Sequence, residues 1–194
     1  MSKINYIKIA RKSAGIQISE LKKINKVFNK SFVKAVDALS GCKGKVICAG
    51  VGKSGLIARK MASTFSSTGS VAVFMHSTEA LHGDFGLIRD GDVVLAVTNS
   101  GETREVLSVV RFAKQQSCKV IAITGNAQSS LAQASDVFLN AFVKEEAGSL
   151  VGAPTSSCVV ALALGDALAA ELMYLRGFKR EQFMRLHPGG SLGR

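Results

Sequence analysis

Five short apolar runs rich in β-branched residues follow one another after Gly41, and they constrain the fold more than any other feature. They are Lys45–Gly50, Val71–Met75, Asp92–Thr98, Lys119–Thr124 and Asp136–Phe142. None alternates strictly between apolar and polar positions, which is the pattern of strands covered on both faces in a parallel sheet. Helical periodicity fills the gaps: Leu56–Thr64 after the first run, Glu105–Gln116 after the third, and a short stretch near Ser129–Ser135 after the fourth. A long helix from about Thr155 to Leu175 closes the series. Alternating strand and helix predicts an α/β architecture with right-handed crossovers. The chain has 194 residues, 47% of them apolar, enough for one such core. No transmembrane helix is expected, because Asp166 and Glu171 interrupt the longest apolar stretch, Cys158–Met173, short of the ~18 uncharged residues a span needs.

The net charge of +11 is unevenly placed: residues 1–45 hold 11 of the 25 basic residues and 2 of the 14 acidic ones. Such an arm invites a nucleic-acid or membrane reading. However, Ile16, Leu21, Ile24, Val27, Phe28, Phe32, Val36 and Leu39 trace the stripe of one long amphipathic helix, with Lys22, Lys23, Lys26, Lys30 and Lys34 on much of the remainder. A solvated helix face explains that charge, and one long helix is not a helix-turn-helix. The expected organisation is a helical arm over residues 1–40 and a single α/β domain over 41–194, with no nucleic-acid or membrane partner. The four cysteines, Cys42, Cys48, Cys118 and Cys158, form no CxxC pair and have no metal-ligand spacing. They read as free thiols in a reducing, cytoplasmic setting. The N-terminus lacks the unbroken apolar segment of a signal peptide.

In parallel α/β sheets ligands bind at the C-terminal strand ends, and the polar and glycine-rich residues concentrate there. The first strand ends in Gly50-Val-Gly-Lys-Ser-Gly55. This matches GxGxxG, but the second strand ends Met75-His76-Ser77 without the acid that a dinucleotide ribose requires. A Walker A loop fails as well, because Ile47 stands where its first glycine belongs. The loop after the third strand, Thr98-Asn-Ser-Gly-Glu-Thr103, suggests another use. Ser54 and the Ser100/Thr103 pair put hydroxyls at two helix starts beside neighbouring strands, where free N–H groups and the helix dipole favour an anion. One such loop reads as a helix cap. Two read as a cradle for a phosphate monoester.

A family resemblance rests on these residues. Gly50-Val-Gly-Lys-Ser-Gly55, His82-Gly-Asp84, Asn99-Ser-Gly-Glu-Thr103, Ala153-Pro-Thr-Ser-Ser157 and His187-Pro-Gly-Gly-Ser-Leu-Gly-Arg194 occur in this order. Together they resemble the SIS (sugar isomerase) domain of bacterial D-arabinose-5-phosphate isomerases, over about residues 40–194. The NSGET loop is common to SIS domains, whereas the GKSG, HGD and terminal HPGGSLGR motifs are more particular to this branch. Two segments depart from the family pattern: His76-Ser-Thr-Glu79 stands for a more common His-Pro-Gly-Glu, and Glu145–Leu150 for a segment that often contains Cys-Pro. The resemblance implies a three-layer α/β/α sandwich around a five-stranded parallel sheet, usually in a homotetramer. Full-length members often carry a tandem CBS pair after the SIS domain. The present sequence ends at Arg194, where that pair would begin, as an isolated isomerase domain or a short member.

The implied reaction interconverts D-ribulose 5-phosphate and D-arabinose 5-phosphate through an enediol, towards Kdo for lipopolysaccharide or capsule. It needs a base, an acid or cation for the oxyanion and help with ring opening, but no redox cofactor. The resemblance maps the ionisable set onto Lys53, His82, Glu105 and His187. In this assignment Glu105 is the C1/C2 base and His187 the ring-opening acid/base, delivered to a neighbouring subunit's site. His82 polarises the carbonyl or shuttles a proton, and Lys53 supplies positive charge. Phosphate contacts are expected from Gly52, Ser54, Thr98, Asn99, Ser100 and Thr103, and sugar contacts from Thr155 and Ser156. No catalytic metal is expected, although His82 and His187 offer a site for inhibitory zinc. Two other readings stay open: an SIS isomerase of another ketose phosphate, and a non-catalytic sugar-phosphate sensor.

Overall fold

The structure, a computed structural model, describes residues 5–147 and 151–189. Its centre is a five-stranded, all-parallel sheet of order β2-β1-β3-β4-β5. The strands are β1 (Val46–Gly50), β2 (Ala72–His76), β3 (Val93–Val97), β4 (Lys119–Thr124) and β5 (Val137–Asn140). Each lies within two residues of its sequence-derived bounds. Both faces are covered, as the unbroken apolar runs require. Successive residues of a strand point to opposite faces, so Cys48, Leu95 and Ile121 enter one core and Ile47, Val94 and Val120 the other.

The first core is closed by α2 (Lys30–Ser40), α3 (Gly52–Ser67) and α7 (Ser156–Leu175), through Leu39, Phe65 and Leu164. The second is closed by α4 (Ser77–Ala80), α5 (Arg104–Gln115) and α6 (Ser130–Ala134), through Ala80, Val109 and Leu131. These are the expected three layers. By length and composition α7 could cross a bilayer. It packs instead against α1 (Tyr6–Lys22), α2 and α3, with Val160, Leu164, Leu168 and Leu172 buried and Asp166 paired to Lys60 at 2.7 Å.

The N-terminal arm is not one helix. Its stripe is divided between α1 and α2, joined through a 3₁₀ turn over Lys23–Lys26. Asn29 makes the second start: its side chain accepts the Ser31 N–H at 2.8 Å, the hydrogen bond of an N-cap. Phe32, Ala35, Val36 and Leu39 of α2 are then buried in the first core. A last short helix, α8 (Arg180–Leu186), follows α7. All four cysteines are free, with Cys48 and Cys118 buried and Cys42 and Cys158 partly so.

Candidate functional site

From β1 the chain runs outward to the edge strand β2, then returns past β1 to β3. The order therefore reverses between β1 and β3, and in open α/β sheets a crevice forms at the C-terminal ends of such a pair. A cleft of about 430 Å³ opens there. Lys53 and Ser54 line it from the first turn of α3, and Thr98, Asn99 and Ser100 from the loop after β3. Gly50 and Gly55 allow that first turn to close onto the strand end. A Cβ on Gly50 would lie 3.1 Å from the Gly55 backbone, and one on Gly55 would lie 3.1 Å from the Gly50 oxygen.

The loop after β3 is tied down by its own hydroxyls. Thr98, 5% exposed, holds its Oγ1 2.7 Å from Oγ1 of Thr103 at the start of α5. Ser100 Oγ accepts the Glu102 N–H at 3.2 Å. Gly101 turns the chain with φ +71° and its oxygen accepts the Leu131 N–H at 3.0 Å. A side chain at Gly101 would collide with Ser129. The first turn of α3, together with Lys53, gives the cleft N–H donors and a positive end, an arrangement suited to an anion.

The third wall carries a residue that sequence reasoning passed over. Glu146 lines the cleft in the loop before α7, with Ser157 and Cys158 beside it. Its Oε2 accepts the Thr155 N–H at 2.8 Å, the Thr155 hydroxyl at 3.0 Å and the Ser157 N–H at 3.2 Å. Burial pushes this carboxyl up, but the hydrogen bonds from Ser157 and Thr155 more than offset that and hold it below the usual carboxylate range. Thr155 is thus engaged with Glu146, and its Oγ1 also accepts the Ala147 N–H at 2.7 Å. Ser156 is fully buried, and its hydroxyl finds no partner among the described residues. The signal for Glu146 lies only in contacts nine and eleven residues onward.

The other three ionisable candidates do not line this cleft within the chain. His82 is exposed just beyond α4, its N–H donating to the Glu79 carbonyl at 2.8 Å. Glu105 is half-buried in the first turn of α5. His187 ends α8, with Nδ1 2.8 Å from the Phe183 carbonyl oxygen and its ring stacked on Phe183 at 4.0 Å. Just before α8, Phe178 lies against Gly69 and Arg176 bonds Ser70 Oγ at 2.6 Å, at the start of β2 and the opposite end of the sheet from the cleft. Residues 190–194 of the C-terminal motif and 148–150 of the departing segment lie outside the described residues. Among the described residues no three His, Cys, Asp or Glu side chains cluster as a metal-ligand set.

A model of the SIS domain matches residues 38–171. The chain belongs to the SIS domain family. Within it, the chain is 47% identical over 174 residues to arabinose 5-phosphate isomerase KdsD of Shigella flexneri, covering 90% of this chain and 53% of that protein. It is 44% identical over 191 residues to KdsD of Pseudomonas aeruginosa, covering 98% and 59%. The SIS chain thus spans somewhat more than half the length of the curated relatives it matches. Among solved structures, an Escherichia coli CFT073 protein in complex with arabinose 5-phosphate superposes with a TM-score of 0.91 at 38% identity, covering 97% of this chain and all of that one.

Proposed function

We propose that this SIS chain is an aldose–ketose isomerase that interconverts D-ribulose 5-phosphate and D-arabinose 5-phosphate. What carries the reading is the placement of Lys53, Ser54, Thr98, Asn99 and Ser100 around one cleft at the sheet's switch point, in a chain 44–47% identical to proteins named for that activity. The E. coli protein bound to arabinose 5-phosphate supports the same ligand class.

In the reaction proposed, Glu105 removes the C2 proton of the open-chain aldose while O1 gains a proton, giving an enediol. Return of the proton to C1, with loss of the C2 hydroxyl proton, gives the ketose. The helix starts hold the phosphate, and Lys53 gives positive charge near the phosphate or the developing oxyanion, the kind of electrostatic stabilisation that contributes most to catalysis. The phosphate contacts come from Gly52, Ser54, Thr98, Asn99, Ser100 and Thr103, and Thr155 and Ser156 shape the sugar end. His82 and His187 serve the carbonyl and ring opening, and His187 reaches the cleft of a neighbouring subunit in a homotetramer. The proposal places residues 1–40 as a helical arm on a catalytic unit over 41–194. It places the enzyme in the cytoplasm, supplying arabinose 5-phosphate for Kdo in lipopolysaccharide or capsule.

The test is incubation of the purified chain with D-arabinose 5-phosphate and EDTA, assayed for ribulose 5-phosphate. Turnover that Glu105→Gln abolishes, with phosphate binding kept, is the expected result. Binding without turnover would favour a sugar-phosphate sensor or a different ketose phosphate.

A further inference from the structure

Helix α1 has one buried residue, and it is an acid. Glu20 is 4% exposed in the last turn of a helix whose other residues all keep appreciable exposure. A carboxylate removed from water is costly unless its oxygens are paired. Both oxygens lie 2.7 Å from Lys23 Nζ. Oε2 also accepts the backbone N–H of Lys144 at 3.0 Å, a contact across 124 residues. Burial pushes this carboxyl up, and the hydrogen bonds from Lys23 and Lys144 overcome it, holding Glu20 below the usual range.

Lys144 sits in the loop between β5 and α7, where the described residues form no helix or strand. That loop lines the cleft on both sides of the contact, at Ala141 and at Glu146. Glu146 in turn holds the N–H groups of Thr155 and Ser157 at the start of α7. Asn140, Phe142 and Val160 line a separate cavity of about 200 Å³ together with Glu20 and Lys23. One hydrogen bond therefore ties α1 to the backbone at Lys144, two residues along the chain from Glu146 in the cleft wall.

We infer that Glu20 is a positioning residue for the cleft: by fixing the backbone at Lys144 it presets Glu146 and the first turn of α7 for the ligand. The N-terminal helix thereby belongs to the binding machinery. The inference rests on reading this cleft as the sugar-phosphate site, and its test separates the two.

The variants are Glu20→Met, which fills the space without an acceptor, and Glu20→Gln, which keeps a carbonyl oxygen for the Lys144 N–H. In the full chain, Glu20→Met is expected to speed hydrogen exchange at the Lys144 amide about tenfold, and to raise KM for D-arabinose 5-phosphate and Kd for inorganic phosphate about tenfold, the size of one hydrogen bond to a charged group. The kcat is expected to stay within about threefold, and Glu20→Gln to restore KM and exchange towards wild type. A role in stability alone would lower Tm and leave KM and Kd untouched, and that result overturns the inference. So would equal damage in both variants. If Glu20→Met does not fold, the wild-type chain decides: saturating phosphate must slow Lys144 amide exchange, because coupling is reciprocal, and unchanged exchange overturns the inference. Should the wild type bind phosphate but not turn over, the isomerase reading fails while the exchange and Kd arms still judge Glu20.

Discussion

The hydroxyls of Thr98 and Thr103 stand 2.7 Å apart and join the end of β3 to the start of α5. Thr98 Oγ1 also lies 3.5 Å from Ser100 Oγ, so the pair sets where the cleft-lining hydroxyls point. Thr103→Val keeps the shape and removes this partner. Loss of one neutral hydrogen bond, about 1 kcal/mol, predicts a roughly fivefold weaker inorganic phosphate affinity by calorimetry. Unchanged affinity would mean the pair serves the loop and not the ligand.

Gly101 predicts a different response, in stability. Its φ of +71° disfavours any side chain, and a Cβ would meet the fully buried Ser129 that caps α6. Strain and overpacking together predict that Gly101→Ala loses about 2–4 kcal/mol, or about 4–16 °C in Tm. A melting curve within a degree or two of wild type would rule this out.

Cys158 offers a reporter inside the cleft. Burial pushes its thiol up, the nearby Glu146 adds to this, and Lys53 opposes it. Alkylation by iodoacetamide is therefore expected to be slow at pH 7, to speed up with rising pH, and to slow further in Lys53→Met. Inorganic phosphate at saturation should protect Cys158 and leave Cys42, outside the cleft, reacting at its own rate. Peptide-resolved mass spectrometry reads each site, and equal labelling of Cys158 with and without phosphate would place the anion elsewhere.

The strands were legible because a sheet buried on both faces forces each one to be a dense apolar run. Lys119–Thr124 has the same ends in sequence and structure. The cleft-lining loops after β1 and β3 were legible because strand ends in this architecture collect hydroxyls. The arm misled because its apolar stripe runs on through the break. Asn29, an N-cap in mid-stripe, was the local sign of a second start. The short helices α4 and α8 have too few turns to show periodicity. Glu146 has no motif, and its role exists only through backbone donors brought to it by folding. Glu105 and the two candidate histidines, His82 and His187, are single ionisable residues. Nothing in their spacing says which cleft, or which subunit's cleft, they serve.

Asp92 shows how the fold should respond to pH. Only 3% exposed, it accepts the Lys45 N–H at 2.9 Å, the Arg89 N–H at 2.8 Å and Lys45 Nζ at 2.7 Å. Burial raises its pKa, but the hydrogen bonds from Lys45 and Arg89 outweigh burial and lower it. A carboxyl depressed in the folded state contributes stability above its unfolded value of about 3.9, and loses it as pH falls through the folded value. Asp92→Asn is thus expected to cost about 2 kcal/mol at pH 7, and the gap to wild type should narrow below about pH 4. A gap in Tm of equal size at pH 7 and pH 3 would contradict the assignment.

Glu146 is the one acid among the described residues that line the proposed phosphate cleft. It is held below the usual carboxylate range and stays charged through neutral pH. A fixed negative charge opposes a phosphate dianion but accepts hydrogen bonds from sugar hydroxyls. Glu146→Gln keeps an oxygen for Thr155 and Ser157 and removes the charge. Inorganic phosphate is then expected to bind about two- to fivefold tighter, the scale of one partly screened charge. D-arabinose 5-phosphate is expected to bind about tenfold weaker, because its hydroxyls lose a charged acceptor. The opposite signs are the diagnostic feature, since a distorted cleft would weaken both ligands. Calorimetry with each ligand at fixed ionic strength reads them directly, and changes of the same sign would place Glu146 outside the sugar's reach.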